Sequence, residues 1–110
     1  MPKQDNIPTV SGKESVILDI LLDQPTTEMY GLEIVRNSGK RLKRGTVYVT
    51  LSRLEDKGLI ESREEEPRSD MSGIPRRLYK VTGYGRRVYS LLQKIREAAH
   101  LLPAHSVVLP

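Results

Sequence analysis

The fold of this chain is decided by residues 44–60, which read RGTVYVTLSRLEDKGLI. The apolar residues of this stretch recur at i, i+4 and i+7, namely at Val47, Leu51 and Leu54. That spacing lines one face of a helix. It predicts a helix that begins near Thr46 and ends at Gly58, where a glycine can form a left-handed C-terminal cap.

An alternating pattern of apolar residues follows this helix. Residues 59–66 and 76–82 are each predicted to form a strand, with Tyr79 and Val81 on one face of the second. Residues 67–75 contain two prolines, a glycine and short polar side chains, which are typical of a hairpin tip. A lone short hairpin is marginally stable, so we expect it to pack on the helices.

Helix 1 is predicted to begin at a capping box, because Ser11 and Glu14 have the spacing that satisfies two orphan amides. It runs to about Asp23. Residues 16–22, VILDILL, are apolar on nearly every face, so the helix must be covered on more than one side. A domain of this size is expected to cover one side, and we predict that a second chain covers the other.

Helix 2 is predicted over residues 28–38. Thr26 and Thr27 are candidate N-caps, and Gly39 is placed to end the helix in a left-handed C-cap. Three helices followed by a hairpin form the winged helix-turn-helix arrangement. The helix over residues 46–58 would then be the second helix of the motif, which enters the major groove of DNA.

A final helix is predicted from Gly83 to about Leu101. Its apolar residues alternate at spacings of four and three, as an a/d seam sustained for nearly three heptads does. We therefore favour a dimer seam over packing within one chain. The predicted dimer interface combines helix 1 and this last helix, and comprises Val16, Ile17, Ile20, Leu21, Tyr84, Val88, Leu91, Leu92, Ile95, Ala98 and Leu102.

The predicted fold class is α+β, mainly α: a winged helix-turn-helix of three helices and a two-stranded wing, plus a C-terminal dimerisation helix. Residues 1–10 are expected to form a flexible arm and residues 11–82 the winged-helix DNA-binding domain. Residues 83–102 are expected to form the dimerisation helix, and residues 103–110 a tail.

Composition narrows the function classes. The 110 residues include 18 lysines and arginines against 14 acidic residues, a net charge of +4 that favours polyanionic partners. The absence of cysteine excludes disulfides, thiolate zinc sites and cysteine nucleophiles. The first ten residues contain no apolar run, so no signal peptide is expected.

Hydroxyl and basic side chains of the third helix and the wing are the candidate DNA contacts. Hydroxyls and cations bind phosphate oxygens, and short side chains let the helix approach the bases. Wing arginines are expected near the minor groove, with the glutamates at 64–66 turned away or paired with arginines. The predicted DNA-binding residues are Lys43, Arg44, Gly45, Thr46, Tyr48, Thr50, Ser52, Arg53, Arg68, Arg76, Arg77 and Lys80.

No enzyme or metal chemistry emerges from the sequence. His100 and His105 lack a third ligand of suitable type, and no nucleophile–base pair or phosphate cradle is present, so no metal, cofactor or enzymatic activity is predicted. The leading hypothesis is a sequence-specific regulator that binds double-stranded DNA. The alternative is a winged-helix module that binds protein; the basic cluster at residues 40–44 favours DNA.

An ordered set of motifs resembles the PadR family of transcriptional regulators. The matching pieces are YGLEI at 30–34, GTVY at 45–48, LSRLEDKGLI at 51–60, GIPRRLYKVT at 73–82, and Gly85. The resemblance implies a prokaryotic winged-helix dimer, usually a repressor. We expect a cytoplasmic homodimer that acts on a palindromic operator. The single C-terminal helix of this chain resembles the dimerisation helix of the shorter subfamily.

Two departures from the family pattern matter. Val49 stands where the family commonly has proline, so the start of the third helix is expected to differ slightly. The chain also has no tryptophan, the residue that some members use to stack flat drugs at the dimer interface, which argues against multidrug sensing. A small-molecule inducer at the dimer interface stays open as a further partner.

Overall fold

The computed structural model describes residues 8–23, 28–65 and 76–101. The elements are, in order, α1 (Gly12–Leu22), β1 (Met29–Tyr30), α2 (Gly31–Asn37), α3 (Arg44–Asp56), β2 (Ile60–Glu64), β3 (Arg77–Val81) and α4 (Gly83–His100). The mainly helical winged-helix fold predicted from the sequence is confirmed. Within these ranges, no helix is long and apolar enough to cross a membrane. The predicted hairpin tip at 67–75, with Arg68, lies outside the described residues, as do Thr26, Thr27, Leu102 and the tail.

Helix α1 begins at the predicted capping box. The Glu14 amide donates to Ser11 Oγ at 3.1 Å, and the Ser11 amide donates to the Glu14 carboxylate at 2.7 Å. The buried Glu14 side chain also forms an ion pair with Lys57 Nζ at 2.8 Å. Lys57 is the C-cap of α3, so this pair ties the start of α1 to the end of α3.

The prediction that a second chain covers one side of α1 is wrong for its central residues. Ile17 is 0% exposed, and Ile20 and Leu21 are each 5% exposed, within a single chain. Helix α1 packs against α2, α3 and β3, so its own chain covers more than the one side expected for a domain of this size. Val16 is half-buried and packs at the edge of the same core.

The sheet has three antiparallel strands in the order β1-β3-β2. The predicted hairpin is present as β2 and β3, and Tyr79 and Val81 lie on one face of β3, where both are buried. Strand β1 was not predicted, because two residues are too few to show an alternating pattern. Its pairing with β3 makes α2 begin at Gly31, three residues later than expected.

Two glycines adopt the left-handed backbone that the sequence predicted. Gly39 has a φ of 61° and follows α2, and Gly58 has a φ of 76° and follows α3. A non-glycine residue is strained in this region, so each glycine allows a tight exit from its helix. The exit at Gly58 leads directly into β2.

The first turn of α4 is held against the end of α3. Thr82 is the N-cap: its Oγ1 accepts from the Gly85 amide at 2.9 Å and donates to the Gly58 carbonyl at 2.8 Å. A Cβ at Gly85 would lie 2.0 Å from the carbonyl oxygen of Leu59. Only glycine therefore permits this approach of α4 to the backbone.

The predicted flexible arm is held to the domain at its C-terminal end. Lys57 Nζ donates to the Thr9 carbonyl, and Val10 packs against the core. Residues 1–7 lie outside the described residues. The extent of the flexible arm over residues 1–10 stays a prediction.

Candidate nucleic-acid interface

Helix α3 presents one face to solvent, which we call the reading surface. Its members follow the spacing i, i+3, i+4, i+7 and i+8 and are Gly45, Tyr48, Val49, Ser52 and Arg53. The opposite face of α3 is buried, with Val47, Leu51 and Leu54 between 0% and 1% exposed. The core thus fixes which side of the helix is available to a partner.

Two cations lie at the N-terminal end of α3. Lys43 is the N-cap and Arg44 is the first helical residue; both are exposed, and no side chain caps this end. A helix N-terminus carries partial positive charge, so cations there are unfavourable unless an anion is bound. With the rest of the described chain, Lys43, Arg44 and Arg53 form no ion pair. Their charges are available to an external anion.

Thr50 is not part of the reading surface, which corrects the sequence-based prediction. It is 3% exposed, and its hydroxyl donates to the Thr46 carbonyl at 2.7 Å. Thr50 lies on the helix turn next to Val47 and Leu51, and its hydroxyl is satisfied within the helix. Thr46 itself is half-buried at the edge of the reading surface.

Tyr48 is positioned by a glycine of α2. A Cβ at Gly31 would lie 2.7 Å from Cε1 and 2.8 Å from the hydroxyl oxygen of Tyr48, so the ring rests directly on this backbone. Tyr48 remains 38% exposed. Gly31 of the Tyr30-Gly31 motif therefore helps to position the reading surface, because the Tyr48 ring packs where any larger residue would place its Cβ.

The wing carries its cations on two different faces. Arg76 is exposed and lies over the Tyr30 ring, 5.4 Å from its centroid. Arg77 contacts Glu64 at 3.3 Å and Ser62 at 2.9 Å, on the sheet face of Tyr79. The sequence-based expectation that a wing glutamate pairs with an arginine holds for Glu64.

Lys80 faces away from the reading surface, which corrects its predicted role. It pairs across the strands with Glu61, 3.4 Å away, on the sheet face opposite Tyr79 and Val81. The same outer face carries Arg63, whose guanidinium donates two hydrogen bonds to Glu28 at 2.8 and 2.9 Å. These hydrogen bonds lower the pKa of Glu28, and this side of the sheet is therefore a network of paired charges.

A cavity of about 470 Å³ separates the reading surface from the wing. It is lined by Tyr30, Gly31, Leu32, Glu33, Arg36, Tyr48, Arg76, Arg77 and Tyr79. Three arginines and one glutamate line it; Arg77 is paired with Glu64, whereas Arg36 and Arg76 form no ion pair with the described residues. The groove between helix and wing is therefore electropositive.

Arg36 and Val49 belong to this region but were missed as candidate contacts. Both are exposed, and the side chain of Arg36 has no partner among the described residues. Arg36 lies on α2, and sequence spacing along α3 gives no indication that the two helices face one groove. Val49 could have been found, because it lies four residues from Gly45 and three from Ser52.

Helix α4 has a packed beginning and an exposed seam. Val88 is 6% exposed and belongs to the core, so it is not available to a second chain as predicted. Leu92 is half-buried against the same core. The remaining described seam residues are exposed: Tyr84 40%, Leu91 38% and Ile95 52%, together with Ala98.

Polar contacts attach α4 to α1 on the side away from this seam. The Tyr89 hydroxyl donates to Asp19, which raises the pKa of Tyr89, and Arg96 donates to Ser15 Oγ at 2.8 Å. A second cavity of about 370 Å³ lies beside them. Its lining residues are Asp19, Ile20, Asp23, Asn37, Arg41 and Tyr89.

Solved structures of transcriptional regulators resemble this chain. A PadR family regulator from Clostridium difficile is 30% identical, with 83% of this chain and 94% of that chain covered and a TM-score of 0.63. A regulator from Clostridium thermocellum is 26% identical, with 78% and 83% covered and a TM-score of 0.62. A PadR-like factor from Bacteroides fragilis is 24% identical, with 80% and 85% covered and a TM-score of 0.65. Comparison with curated proteins gave no match.

The family assignment rests on the sequence as well as on the fold. The model of the transcriptional regulator PadR-like family matches residues 17–91. That range runs from the core of α1 through the reading surface and the wing to the seam of α4. The chain therefore belongs to the PadR-like family of transcriptional regulators.

Proposed function

We propose that this chain is a sequence-specific regulator that binds double-stranded DNA as a homodimer. The observation that carries the proposal is the reading surface of α3, flanked by unpaired cations at its N-terminal end. In a helix-turn-helix, the second helix enters the major groove and its N-terminal residues contact base edges. Lys43, Arg44 and Arg53 would neutralise phosphates on either side of the groove.

The wing extends the contact to the neighbouring backbone. Arg76 and Arg36 converge with the Tyr48 ring on the groove between α3 and the sheet. A sugar-phosphate strand that borders the major groove would lie along this electropositive groove. Lys80 takes no part in the proposed contact, because it is paired with Glu61 on the far side of the sheet.

Homodimerisation is proposed through the exposed seam of α4. Leu91 and Ile95 lie one turn apart and are exposed to solvent. Part of the apolar face of the amphipathic helix α4 is therefore not covered by its own chain. A second copy of the helix would cover this surface in a two-fold pair, the commonest closed oligomer. Two-fold symmetry would match a palindromic operator, with half-sites about one helical turn apart.

The protein is further proposed to repress transcription and to respond to a small-molecule inducer. A dimer bound across a promoter would block transcription, and a reporter fused to the bound DNA would give the sign of regulation. The cavity of about 370 Å³ beside Asp19 and Tyr89 lies between α1 and α4, where a small molecule could alter the angle of the dimer helix. An inducer is expected to release the DNA.

Salt dependence of duplex binding tests the central proposal. With five contacting cations in each subunit, the logarithm of affinity should fall with the logarithm of salt concentration at a slope of about −9 for a dimer. Fluorescence anisotropy of a labelled duplex measures this slope. Arg53→Ala should reduce it, whereas the matched control Lys80→Ala should leave it unchanged. Absence of salt-dependent binding would instead favour the protein-interaction module.

A further inference from the structure

The reading surface has an aliphatic side chain at its centre. Val49 is 53% exposed, whereas the other aliphatic residues of α3, Val47, Leu51 and Leu54, are almost completely buried. Its neighbours on the reading surface are the polar Ser52 and the cationic Arg53. An exposed aliphatic group among polar residues is the unexplained feature of this helix.

Helix stability does not account for this valine. A β-branched side chain loses rotamer freedom in a helix and has a lower helix propensity than alanine. Because more than half of Val49 is exposed, it also gains little from burial. Alanine at this position would preserve the fold at least as well.

The direction of the side chain is set by helix geometry. Side chains in a helix lean towards its N-terminus, so Val49 covers the turn that begins at Gly45. A Cβ built on Gly45 would meet nothing within 4 Å. With 53% of Val49 exposed, its isopropyl group faces solvent on the half of α3 that would enter the major groove.

We infer that Val49 contacts the 5-methyl group of a thymine and makes the chain prefer thymine at one position of each half-site. The inference rests on the proposed function and deepens it. The thymine methyl is the apolar group that base pairs present in the major groove. The cations and hydroxyls around Val49 suit phosphates and polar base edges. The methyl groups of Val49 suit only the thymine methyl. An apolar protein surface is a poorer match, because the flanking Arg44 and Arg53 would then lose hydration without an anion.

Replacement of single thymines by deoxyuridine tests the contact, because the two bases differ only in the methyl group. Duplexes are first selected from a random pool with the wild-type protein, and each thymine of the selected site is then replaced in turn. At one thymine position in each half-site, replacement by deoxyuridine should lower the affinity of the protein for the duplex about fourfold, the factor for one buried methyl-sized group. The Val49→Ala variant should bind the thymine duplex and the deoxyuridine duplex equally, and its unfolding transition should match that of the wild type.

The control is Leu101→Ala, which removes another exposed aliphatic group at the end of a different helix. This variant should keep the full methyl dependence. The inference is overturned if Val49→Ala retains the wild-type methyl dependence, or if no thymine in the selected site shows one. Failure of the wild type to select any duplex would overturn the proposed function itself, and so would be distinguished from failure of the Val49 contact.

Discussion

Replacement of Gly85 by alanine is expected to destabilise the protein strongly. The added Cβ would lie 2.0 Å from the carbonyl oxygen of Leu59 and 2.8 Å from Cγ1 of Val81. The first obstacle is backbone and cannot rotate away, so the start of α4 must move by more than about 1 Å to reach an ordinary contact distance. This movement would open the edge of the core at Val88, which is only 6% exposed.

The magnitude follows from the contacts that are lost. Overpacking of this kind costs about 1–3 kcal/mol. The displaced helix would also stretch the 2.9 Å cap from the Gly85 amide to Thr82, which is worth about 1 kcal/mol. The free energy of unfolding should therefore fall by about 3 kcal/mol, and Tm by more than about 10 °C.

The matched control is Gly83→Ala in the same helical turn. The nearest atom to a Cβ there is the far end of the Arg87 side chain at 3.6 Å. Alanine fits without strain and restricts the unfolded chain, so stability should rise by about 0.4–1 kcal/mol. Urea unfolding followed by circular dichroism, at one protein concentration for all variants, measures both. Equal stabilities of the two variants would refute the argument that α4 is seated on the Leu59 backbone.

Four further predictions concern the surfaces and the buried ion pair. Tyr48→Ala should weaken duplex binding by about 1–3 kcal/mol with little change in stability, because the exposed ring positions a phosphate contact. Arg76→Ala should reduce the salt slope of a bound dimer by about two, since each subunit loses one phosphate contact. Ile95→Glu should convert the proposed dimer to monomers in sedimentation velocity and abolish tight operator binding, because it would bury an unpaired carboxylate. Glu14→Gln should lower the free energy of unfolding by about 1–3 kcal/mol at pH 7, with a difference from wild type that shrinks in acid.

The sign of the acid effect follows from the pKa of Glu14. Burial raises this pKa, but the hydrogen bonds from Lys57 and the Ser11 amide and the charge of Lys57 lower it below its ordinary value of 4.5 overall. The stabilisation is therefore fully present above pH 4.5 and is lost as the pH falls through the lowered folded-state pKa. A difference between Glu14→Gln and wild type that stays constant down to pH 2 would contradict this account.

Each of the other three predictions has an outcome that contradicts it. Tyr48→Ala with unchanged affinity and stability would show that the ring is outside the interface. An unaltered salt slope for Arg76→Ala would remove the wing from the phosphate contacts. A wild-type chain that sediments as a monomer at micromolar concentration and still binds its operator tightly would refute the dimer.

Local signals in the sequence were sufficient for most of the elements. The capping box at Ser11 and Glu14, the left-handed glycines 39 and 58, and the change from helical to alternating period after residue 58 each depend on neighbouring residues alone. Such signals predict where a helix begins, where it ends and which residues share a face. They are sufficient to predict α1, α3, the hairpin and α4 without any tertiary contact.

Tertiary structure alone decided which faces are covered. Helix α1 is surrounded by elements of its own chain, so Ile17 is core and not dimer interface. Thr50 turns inward and Lys80 turns to the far side of the sheet, although both have suitable chemistry for a DNA contact. The Tyr48 ring of α3 packs on Gly31 of α2, and the apolar periodicity of either helix gives no indication of this contact. The physical reason is that side-chain periodicity is a property of one element, whereas exposure depends on what the rest of the chain packs against that element.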